Sequence, residues 1–198
     1  MGKESAAAAS KQGEPGMVLN GSDRETIEAC QRGDHDAFRA LFEHYQDKVY
    51  SIALRYSGDP TVAMDIAQET FLKLLSAIRQ FRGDAHFDTW LYRLVVNCCL
   101  DHHRRGRRWM PLADTLRSAA ESLLQGVLRA EREQQVKTVV AKLPPEQRMV
   151  VVLRYTEGLT YDQIAEILNC SAGTVASRLN RAHKTLERRL GHLRGSGL

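Results

Sequence analysis

The sequence predicts an all-α protein built from two small helical domains that are joined by a flexible linker. Apolar residues recur at steps of three and four through most of the chain, which is the spacing of an amphipathic helix. Helix start and stop signals flank these stretches, and no segment shows a convincing run of alternating strands. The 198 residues are enough for one large or two small domains with modest cores.

Helical patterns and composition divide the chain into five stretches. Residues 1–21 are rich in glycine, serine and alanine and lack apolar periodicity, so a mobile tail is predicted there. Helical patterns fill residues 22–109 and 135–192, which are the two predicted domains. Residues 110–134 mix small, acidic and aliphatic residues and are predicted to be a linker with one short helix at most. Residues 193–198 form a second tail.

The N-terminal domain begins with two helices that have clear start and stop signals. Ser22 and Glu25 have the spacing of a capping box, and Gly33 stops the short helix that follows. Asp34 caps a second, longer helix that ends at Gly58. The apolar residues predicted to face the core from this helix are Phe38, Leu41, Phe42, Tyr45, Val49, Ile52, Ala53 and Tyr56.

Two further helices complete a predicted four-helix bundle. Asp59 followed by Pro60 is an N-cap with proline at the first helical position, and the third helix runs to about Phe81. A loop of residues 82–88 precedes the fourth helix, which ends in a run of arginines. Four short-looped helices with one apolar side each are typical of a bundle.

The C-terminal domain contains two helices joined by a very short turn. Pro144 and Pro145 end one helix and start the next, so the apolar run Met149–Leu153 is predicted to be helical despite its β-branched residues. Thr160 caps a short helix, and residues 169–171 form a three-residue turn before a longer helix. This outline is typical of a helix-turn-helix, a DNA-binding unit.

Charge is concentrated in two stretches of a chain whose net charge is +4. Residues 92–109 carry five arginines against one acid, and residues 171–198 carry six basic residues against one acid. Two basic surfaces on an otherwise acidic body indicate two contacts with a polyanion. The longest apolar run is too short to span a membrane, and the N-terminal alanines are too few for a signal peptide, so a cytoplasmic protein without membrane insertion is predicted.

Catalytic and metal-dependent functions find little support in the sequence. Cys98 with His102, and Cys99 with His103, are spaced to share a helix face, but the two pairs point about 100° apart, so one metal ion could hardly use all four. There is no glycine-rich phosphate loop and no paired-carboxylate constellation. We therefore expect no enzymatic activity, no cofactor and no metal site, while a metal or thiol sensor centred on these four residues stays open as an alternative.

Several segments resemble the extracytoplasmic-function (ECF) group of sigma factors of bacterial RNA polymerase. The segments similar to sigma region 2 are residues 65–73 (DIAQETFLK), 87–93 (FDTWLYR) and 101–105 (DHHRR). Those similar to region 4 are residues 143–148 (LPPEQR), 158–165 (GLTYDQIA) and 173–182 (GTVASRLNRA). The resemblance implies that the two domains are sigma regions 2 and 4, and that the protein binds core RNA polymerase through its β and β′ subunits, recognises the −35 and −10 promoter elements and opens the −10 DNA.

The resemblance also implies which residues make these contacts. Core-polymerase binding is assigned to Asp65, Gln68, Glu69 and Leu72, which repeat at helical spacing off the buried stripe. Contacts with −10 DNA are assigned to Phe87, Trp90, Arg93, Asn97, Arg104 and Arg105, since aromatic rings beside arginines suit a separated strand. Contacts with −35 DNA are assigned to Thr160, Tyr161, Ser171, Thr174, Ala176, Ser177, Arg178, Asn180, Arg181 and Lys184.

Three alternatives accompany these assignments. The charged helix faces have a simpler interpretation as solvated surfaces, and Trp90 equally suits a core position because it lies on the apolar side of its helix. The two domains also suit a stand-alone helix-turn-helix regulator that dimerises through its N-terminal bundle.

Two positions depart from the family pattern. Ala176 and His183 stand where relatives often carry basic residues, so the −35 preference does not carry over. The family resemblance also implies an anti-sigma factor as a partner.

Overall fold

The computed structural model describes residues 21–109 and 135–191, and every regular element in these two ranges is helical. The N-terminal unit holds α1 (Gly21–Arg32), α2 (His35–Ser57), α3 (Pro60–Ala77), a 3-10 turn (Ile78–Gln80) and α4 (Phe87–Trp109). The C-terminal unit holds the described part of α5 (135–141), α6 (Pro145–Tyr155), α7 (Tyr161–Ile167) and α8 (Ala172–Leu190). The predicted all-α class is confirmed, while the predicted linker 110–134 and the tail predictions for 1–20 and 193–198 lie outside the described residues.

Side-chain caps set the ends of α2 and α3 where the sequence predicts them. The Asp34 carboxylate accepts hydrogen bonds from the backbone N–H groups of Asp36 at 2.9 Å and Ala37 at 3.1 Å. Asp59 caps α3 in the same way, with Pro60 at the first helical position. Gly58 ends α2 with a φ of 76°, a left-handed conformation that favours glycine. These local interactions fix the tight α2–α3 hairpin.

Helix α1 differs from the prediction at its start. The described part of the helix already includes Gly21 and Ser22, so the predicted helix start at Ser22 is wrong. Its end is as predicted, with Gly33 in a left-handed conformation at φ 90°. The Gln31 side chain donates to the backbone oxygens of Ile78 at 3.1 Å and Phe81 at 2.8 Å, which fastens α1 to the segment after α3.

The core of the N-terminal unit lies between α2, α3 and α4. The predicted stripe of α2 is buried from Leu41 to Tyr56, but Phe42 is 38% exposed and its prediction as a core residue is wrong. Phe42 lies at the edge of the stripe, where its ring packs on Phe71 with the centroids 4.6 Å apart. Phe71 itself belongs to the buried face of α3, so Phe42 covers the rim of the core.

The middle of helix α6 is buried on all sides, which explains its unbroken apolar run. Each residue of the run from Met149 to Leu153 is buried, and the helical prediction for this segment is confirmed. A helix that is apolar all round needs neighbours all round. Helix α6 packs on α7 and α8 of its own unit and also on α2 and α4 of the N-terminal unit. The two units are therefore packed together in this structure.

None of the helices in the described part of the chain is long and apolar enough to cross a lipid bilayer.

Candidate functional site

Phe87 lies in the core of the N-terminal unit, which corrects its assignment to the DNA surface. Its side chain is fully buried, and its ring centroid lies 5.6 Å from that of Tyr45 and 5.4 Å from that of Phe81. A ring with no accessible face cannot stack on a base. Aromatic residues beside arginines occur both in a core and on a DNA-binding surface. This pattern therefore could not show that Phe87 is a core residue.

Trp90 lies at the rim of the same aromatic cluster. It is half-buried, and its ring centroid lies 5.2 Å from that of Phe81 and 5.6 Å from that of Phe87. Part of the indole therefore supports the core while the rest remains accessible. The core interpretation of Trp90 holds for the packed part of the ring, and its contact with −10 DNA stays a prediction.

Arg93 and Asn97 follow Trp90 along α4 at one-turn intervals. Asn97 is exposed. The Arg93 guanidinium donates from Nε and Nη2 to the backbone oxygen of Glu166, at 3.2 and 3.1 Å, and Nη2 also reaches Oε1 of the same residue at 3.3 Å. Glu166 belongs to α7, so the second unit occupies the guanidinium of a residue predicted to contact −10 DNA.

The predicted polymerase-binding residues share one face of α3. Asp65 and Gln68 are exposed, and Leu72 is 68% exposed. The sequence analysis missed two further exposed apolar residues of this helix, Met64 and Leu75. Their positions outside the core stripe of α3 are the signal that could have found them. The face is thus a mixture of polar groups and accessible aliphatic side chains.

Glu69 differs from the other members of this set because it is held in ion pairs. Its carboxylate accepts from Nη2 of Arg105 at 2.6 and 2.8 Å and lies 3.0 Å from Nζ of Lys73. Burial by itself raises the pKa of Glu69, but the hydrogen bonds from Lys73 and Arg105 outweigh it, so the pKa lies below its ordinary value. Glu69 remains a carboxylate and ties α3 to the end of α4.

The arginines at the end of α4 are exposed but paired with acids of their own domain. Arg104 donates from Nη2 to Asp101 at 2.8 Å, while Arg105 bonds Glu69. Exposed pairs of this kind contribute little to stability and exchange partners readily. Both guanidinium groups are therefore available to a stronger anion such as a phosphate.

Two of the predicted −35 residues shape the helix-turn-helix. Thr160 Oγ1 accepts from the Gln163 backbone N–H at 3.2 Å, and the Gln163 side chain accepts from the Thr160 N–H at 2.8 Å, which is a full capping box. Ser171 Oγ accepts from the Thr174 N–H at 3.1 Å and caps α8. Asn169 in the turn has a positive φ of 48°. The predicted cap at Thr160 and the predicted turn are confirmed.

Helix α8 presents its polar residues on the side away from the core, as predicted. Val175, Leu179 and Ala182 are buried, whereas Asn180, Arg181, Lys184 and Arg188 are exposed. Ala176 and Ser177 are partly buried, and Tyr161 at the start of α7 is exposed below the Arg154 guanidinium. The accessible basic residues thus follow one line along α8.

Arg178 does not belong to that line. Its Nη2 lies 2.5 Å from Oε2 of Glu146 and its side chain is only 22% exposed, so it joins α8 to α6. The guanidinium predicted to contact −35 DNA is thus occupied by Glu146, whose own side chain is 63% exposed, and the assignment of Arg178 stays a prediction. Helical spacing alone did not separate it from Arg181.

His183, which departs from the family pattern, has a partner in α6. Its Nε2 lies 2.7 Å from the hydroxyl oxygen of Tyr155, and both rings are exposed. His183 lies one turn after Asn180 on the exposed face of α8.

The cysteine–histidine alternative receives no support from the described residues. No group of three or more histidine, cysteine or acidic side chains in this part of the chain is placed to hold a metal ion. Cys98 and Cys99 are fully buried, and burial raises the pKa of both thiols. Buried thiols of raised pKa are poor nucleophiles and poor sensors.

The sequence analysis missed the residues that join the two units. Arg148 of α6 is 7% exposed and donates from Nη1 to the Tyr56 backbone oxygen at 3.0 Å, with its guanidinium 5.3 Å from the centroid of the Tyr56 ring. Arg148 also bonds the backbone oxygens of Ala141 and Leu143 in its own unit. Tyr92 of α4 donates to Glu157 Oε2 at 2.9 Å. No local sequence signal marks these contacts.

A helical bundle followed by a helix-turn-helix with a basic exposed face defines a two-domain helical DNA-binding protein. Residues 41–109 match the family model of sigma-70 region 2, and residues 133–186 match that of sigma-70 region 4. The RNA polymerase sigma-H factor of Pseudomonas aeruginosa is 37% identical over 187 residues, covering 88% of this chain and 96% of the relative. The chain therefore belongs to the sigma-70 family of RNA polymerase sigma factors, in its ECF group.

Further comparisons agree with this assignment. The ECF RNA polymerase sigma-E factor of Escherichia coli is 36% identical over 183 residues, covering 85% of this chain and 94% of the relative. A solved structure of CnrH with the cytosolic domain of CnrY has the same fold, with a TM-score of 0.65 at 24% identity over 86% of this chain and 98% of that one. The sigma factor RpoE of Bartonella quintana, solved with the anti-sigma factor NepR, gives 0.60 at 23% identity over 78% and 96%. The protein is a sigma factor and not a stand-alone regulator.

Proposed function

We propose that this sigma factor binds core RNA polymerase through the exposed face of α3 and reads promoter DNA with α4 and α8. The observation that carries the proposal is the combination of an exposed amphiphilic face on α3 with exposed basic residues on α4 and α8. The domains are proposed to span residues 22–109 and 135–192. The relatives are named as sigma factors, which supports a role in initiation without catalysis by this chain.

The polymerase-binding surface is proposed to consist of Asp65, Gln68, Glu69 and Leu72. Leu72 supplies exposed apolar area, and Asp65 and Gln68 supply polar groups on the same face. Such a combination of an apolar anchor with a polar rim is typical of protein–protein interfaces. Met64 and Leu75 extend the apolar part of the surface.

The −10 surface is proposed to consist of Trp90, Arg93, Asn97, Arg104 and Arg105 along α4. The accessible part of Trp90 offers a flat ring to a base, and the arginines offer cations to the backbone of a separated strand. We leave Phe87 out of this surface because it is buried.

The −35 surface is proposed to lie along α8 with the N-terminal end of the helix in the major groove. We propose that Ala176, Ser177, Asn180 and Arg181 face base edges and that Lys184 contacts the backbone. The exposure of Asn180, Arg181 and Lys184 supports these roles. Thr160, Ser171 and Thr174 set the geometry of the turn, and Tyr161 borders it. Backbone N–H groups and side chains at such helix starts commonly meet phosphates.

The partners that follow are core polymerase, promoter DNA and an anti-sigma factor. The last is supported by the ECF resemblance and by the similar fold of RpoE, which was solved with NepR. Since RNA polymerase acts in the bacterial cytoplasm, we infer that this chain works there as well.

The test is transcription from fragmented genomic DNA of the source bacterium by core polymerase with and without the protein. New starts that share two spaced upstream elements are the expected result. A protein that does not co-migrate with core overturns the proposal as a whole. A protein that co-migrates with core and yields no new starts overturns the promoter-recognition part.

A further inference from the structure

Two exposed aromatic side chains are hydrogen-bonded to each other beside the proposed −35 surface. Tyr155 is the last residue of α6, and its hydroxyl oxygen lies 2.7 Å from Nε2 of His183 on α8. The two ring centroids are 5.7 Å apart. Tyr155 is 63% exposed, and His183 is exposed as well. Because each ring restrains the other, the pair loses little conformational entropy when it binds a ligand.

The pair lies next to residues that are proposed to contact DNA. Ala176, Asn180 and His183 follow one another along α8 at steps of four and three residues, so they share one face of the helix. Tyr155 reaches this face from α6, which lies outside the helix-turn-helix. The residue after His183 is Lys184, which is proposed to contact the DNA backbone and not the base edges. A backbone phosphate is therefore the ligand that fits the pair best.

The hydrogen bond between the two rings can run in either direction. In a neutral imidazole one nitrogen accepts and the other donates, so Nε2 of His183 either accepts the Tyr155 hydroxyl proton or donates a proton to the phenol oxygen. In the second arrangement the phenol O–H is free to donate outwards. A phosphate oxygen accepts hydrogen bonds, so a phosphate beside Tyr155 selects the second arrangement. A protonated imidazole always holds the phenol in this way and adds a positive charge near the phosphate.

The surroundings of the imidazole contain charges of both signs. The charged groups on the elements packed around it are Lys184 and Glu187 on α8, Arg154 and Glu157 at the end of α6, and Asp162 and Glu166 on α7. Arg154, Glu157 and Glu166 are each bonded to a residue outside the pair. On α8, Lys184 opposes a protonated imidazole and Glu187 favours it. A bound phosphate is the further negative charge that would favour protonation.

We propose that Tyr155 donates its hydroxyl proton to a backbone phosphate of the −35 element, and that His183 positions the phenol by donating from Nε2 to its oxygen. This inference rests on the proposed function, since it takes α8 as the −35 surface. It adds a phosphate contact from α6 to those of the recognition helix. Because a protonated imidazole strengthens the contact, the −35 complex takes up a proton and becomes tighter as the pH falls.

The first test uses the holoenzyme of core polymerase and this chain on promoter fragments in which a single −35 phosphate is replaced by an uncharged methylphosphonate. Tyr155→Phe should lower the affinity for the natural fragment by about tenfold, as for the loss of one hydrogen bond to a charged group. Methylphosphonate at one position should weaken the wild type and leave the affinity of the variant unchanged. The control Tyr50→Phe removes a phenol hydroxyl from α2 and should respond to each fragment as the wild type does.

The second test follows the affinity for the natural fragment against pH, which addresses the positioning role of His183. The wild type should bind about three- to tenfold more tightly at about pH 6 than at about pH 8. The amide of His183→Gln can donate to the phenol oxygen but cannot take up a proton. This variant should keep the sensitivity to the one methylphosphonate and lose the gain at low pH. The control His44→Gln, at an exposed position of α2, should keep the gain.

Two results would overturn the proposal while leaving −35 recognition by α8 intact. One is a Tyr155→Phe holoenzyme that binds as tightly as the wild type, or that still responds to each methylphosphonate as the wild type does. The other is a gain at low pH that His183→Gln retains in full. A wild-type holoenzyme that does not prefer the promoter fragment to random DNA would instead overturn the proposed −35 recognition, and this inference with it.

Discussion

Tyr92 donates its hydroxyl proton to Oε2 of Glu157 across 2.9 Å, and the two residues lie 65 positions apart in the sequence. Burial, together with the nearby carboxylate of Glu157, raises the pKa of Tyr92, so the phenol remains a proton donor at any physiological pH. The bond joins the fourth helix of one domain to the loop before the helix-turn-helix of the other.

The exposed leucine of α3 gives the first prediction. Leu72→Asp should weaken binding to core polymerase by about tenfold, or about 1.4 kcal/mol, because it removes the apolar anchor of the surface. The free energy of unfolding should change by less than about 0.5 kcal/mol, since the side chain makes few core contacts. The measurement is competition for core against a labelled wild-type chain. Val136→Asp, at an exposed position of α5, is the matched control and should bind as the wild type does.

The exposed face of α8 gives the second prediction. Lys184→Ala in the holoenzyme should lower the slope of log affinity against log salt by about 0.9, as expected for the loss of one phosphate contact. Asn180→Ala should leave that slope unchanged and alter the preference for one base pair of the −35 element. Binding to a promoter library at several salt concentrations measures both quantities. Equal effects of the two variants on the slope would contradict the division into base and backbone contacts.

The buried guanidinium of α6 gives the third prediction. Arg148→Met should lower the free energy of unfolding by about 2–4 kcal/mol, because it removes the donor from the buried oxygens of Tyr56 and Leu143. Urea denaturation measures the change. Arg39→Ala, at an exposed position of α2, should alter stability by less than about 0.5 kcal/mol. An equally small effect of Arg148→Met would show that the contact with Tyr56 is not maintained in solution.

The ion pairs of Glu69 give the fourth prediction. The pKa of the Glu69 carboxyl, followed by its side-chain carbon in NMR titration, should lie below the ordinary glutamate value and rise in Lys73→Met. Because the folded-state pKa is lowered, the pairs stabilise the protein above the ordinary pKa of glutamate, and this contribution disappears as the pH falls through the lower, folded-state value. Lys48→Met, which removes a lysine of α2, should leave the titration of Glu69 unchanged. A Glu69 pKa at the ordinary value in the wild type would contradict the observed geometry.

The glycine that ends α2 gives the fifth prediction. Gly58→Ala should destabilise the protein by about 1 kcal/mol, because a φ of 76° is strained for any residue with a Cβ. Gly106→Ala should instead stabilise it by about 0.5–1 kcal/mol, since Gly106 lies within α4 and an added Cβ meets no atom within 4 Å. Thermal unfolding of the two variants, with opposite signs expected, measures both.

The sequence predicted the features that depend on neighbours along the chain. Asp34, Asp59 and Thr160 bond to N–H groups two or three residues away, so the residue types and their spacing contain the whole interaction. The periodicity of α8 likewise separated its buried residues from its exposed ones. The two family resemblances located the same segments that the comparisons matched.

The sequence did not predict what depends on distant partners. Phe87 and Trp90 are three residues apart and equally aromatic, yet one is buried and the other lies at the rim. Phe81 packs on both rings, and Tyr45 of α2 packs on Phe87. Arg148 bonds the backbone oxygen of Tyr56, which lies 92 positions away in the sequence. The residues around Arg148 in the sequence therefore do not mark it as buried. Whether such a residue is buried or exposed depends on contacts between distant parts of the chain, which no local sequence pattern specifies.

The ion pair between Glu69 and Arg105 connects two surfaces that serve different ligands. Glu69 belongs to the proposed polymerase face and Arg105 to the proposed −10 surface, yet they share one pair of hydrogen bonds. A ligand that draws the carboxylate away frees the guanidinium for an anion, and an anion on the guanidinium frees the carboxylate in turn. If the two ligands bind these residues as proposed, thermodynamic reciprocity requires each to strengthen the binding of the other by the same factor. The single ion pair between Glu69 and Arg105 would then couple the binding of polymerase to the binding of the promoter.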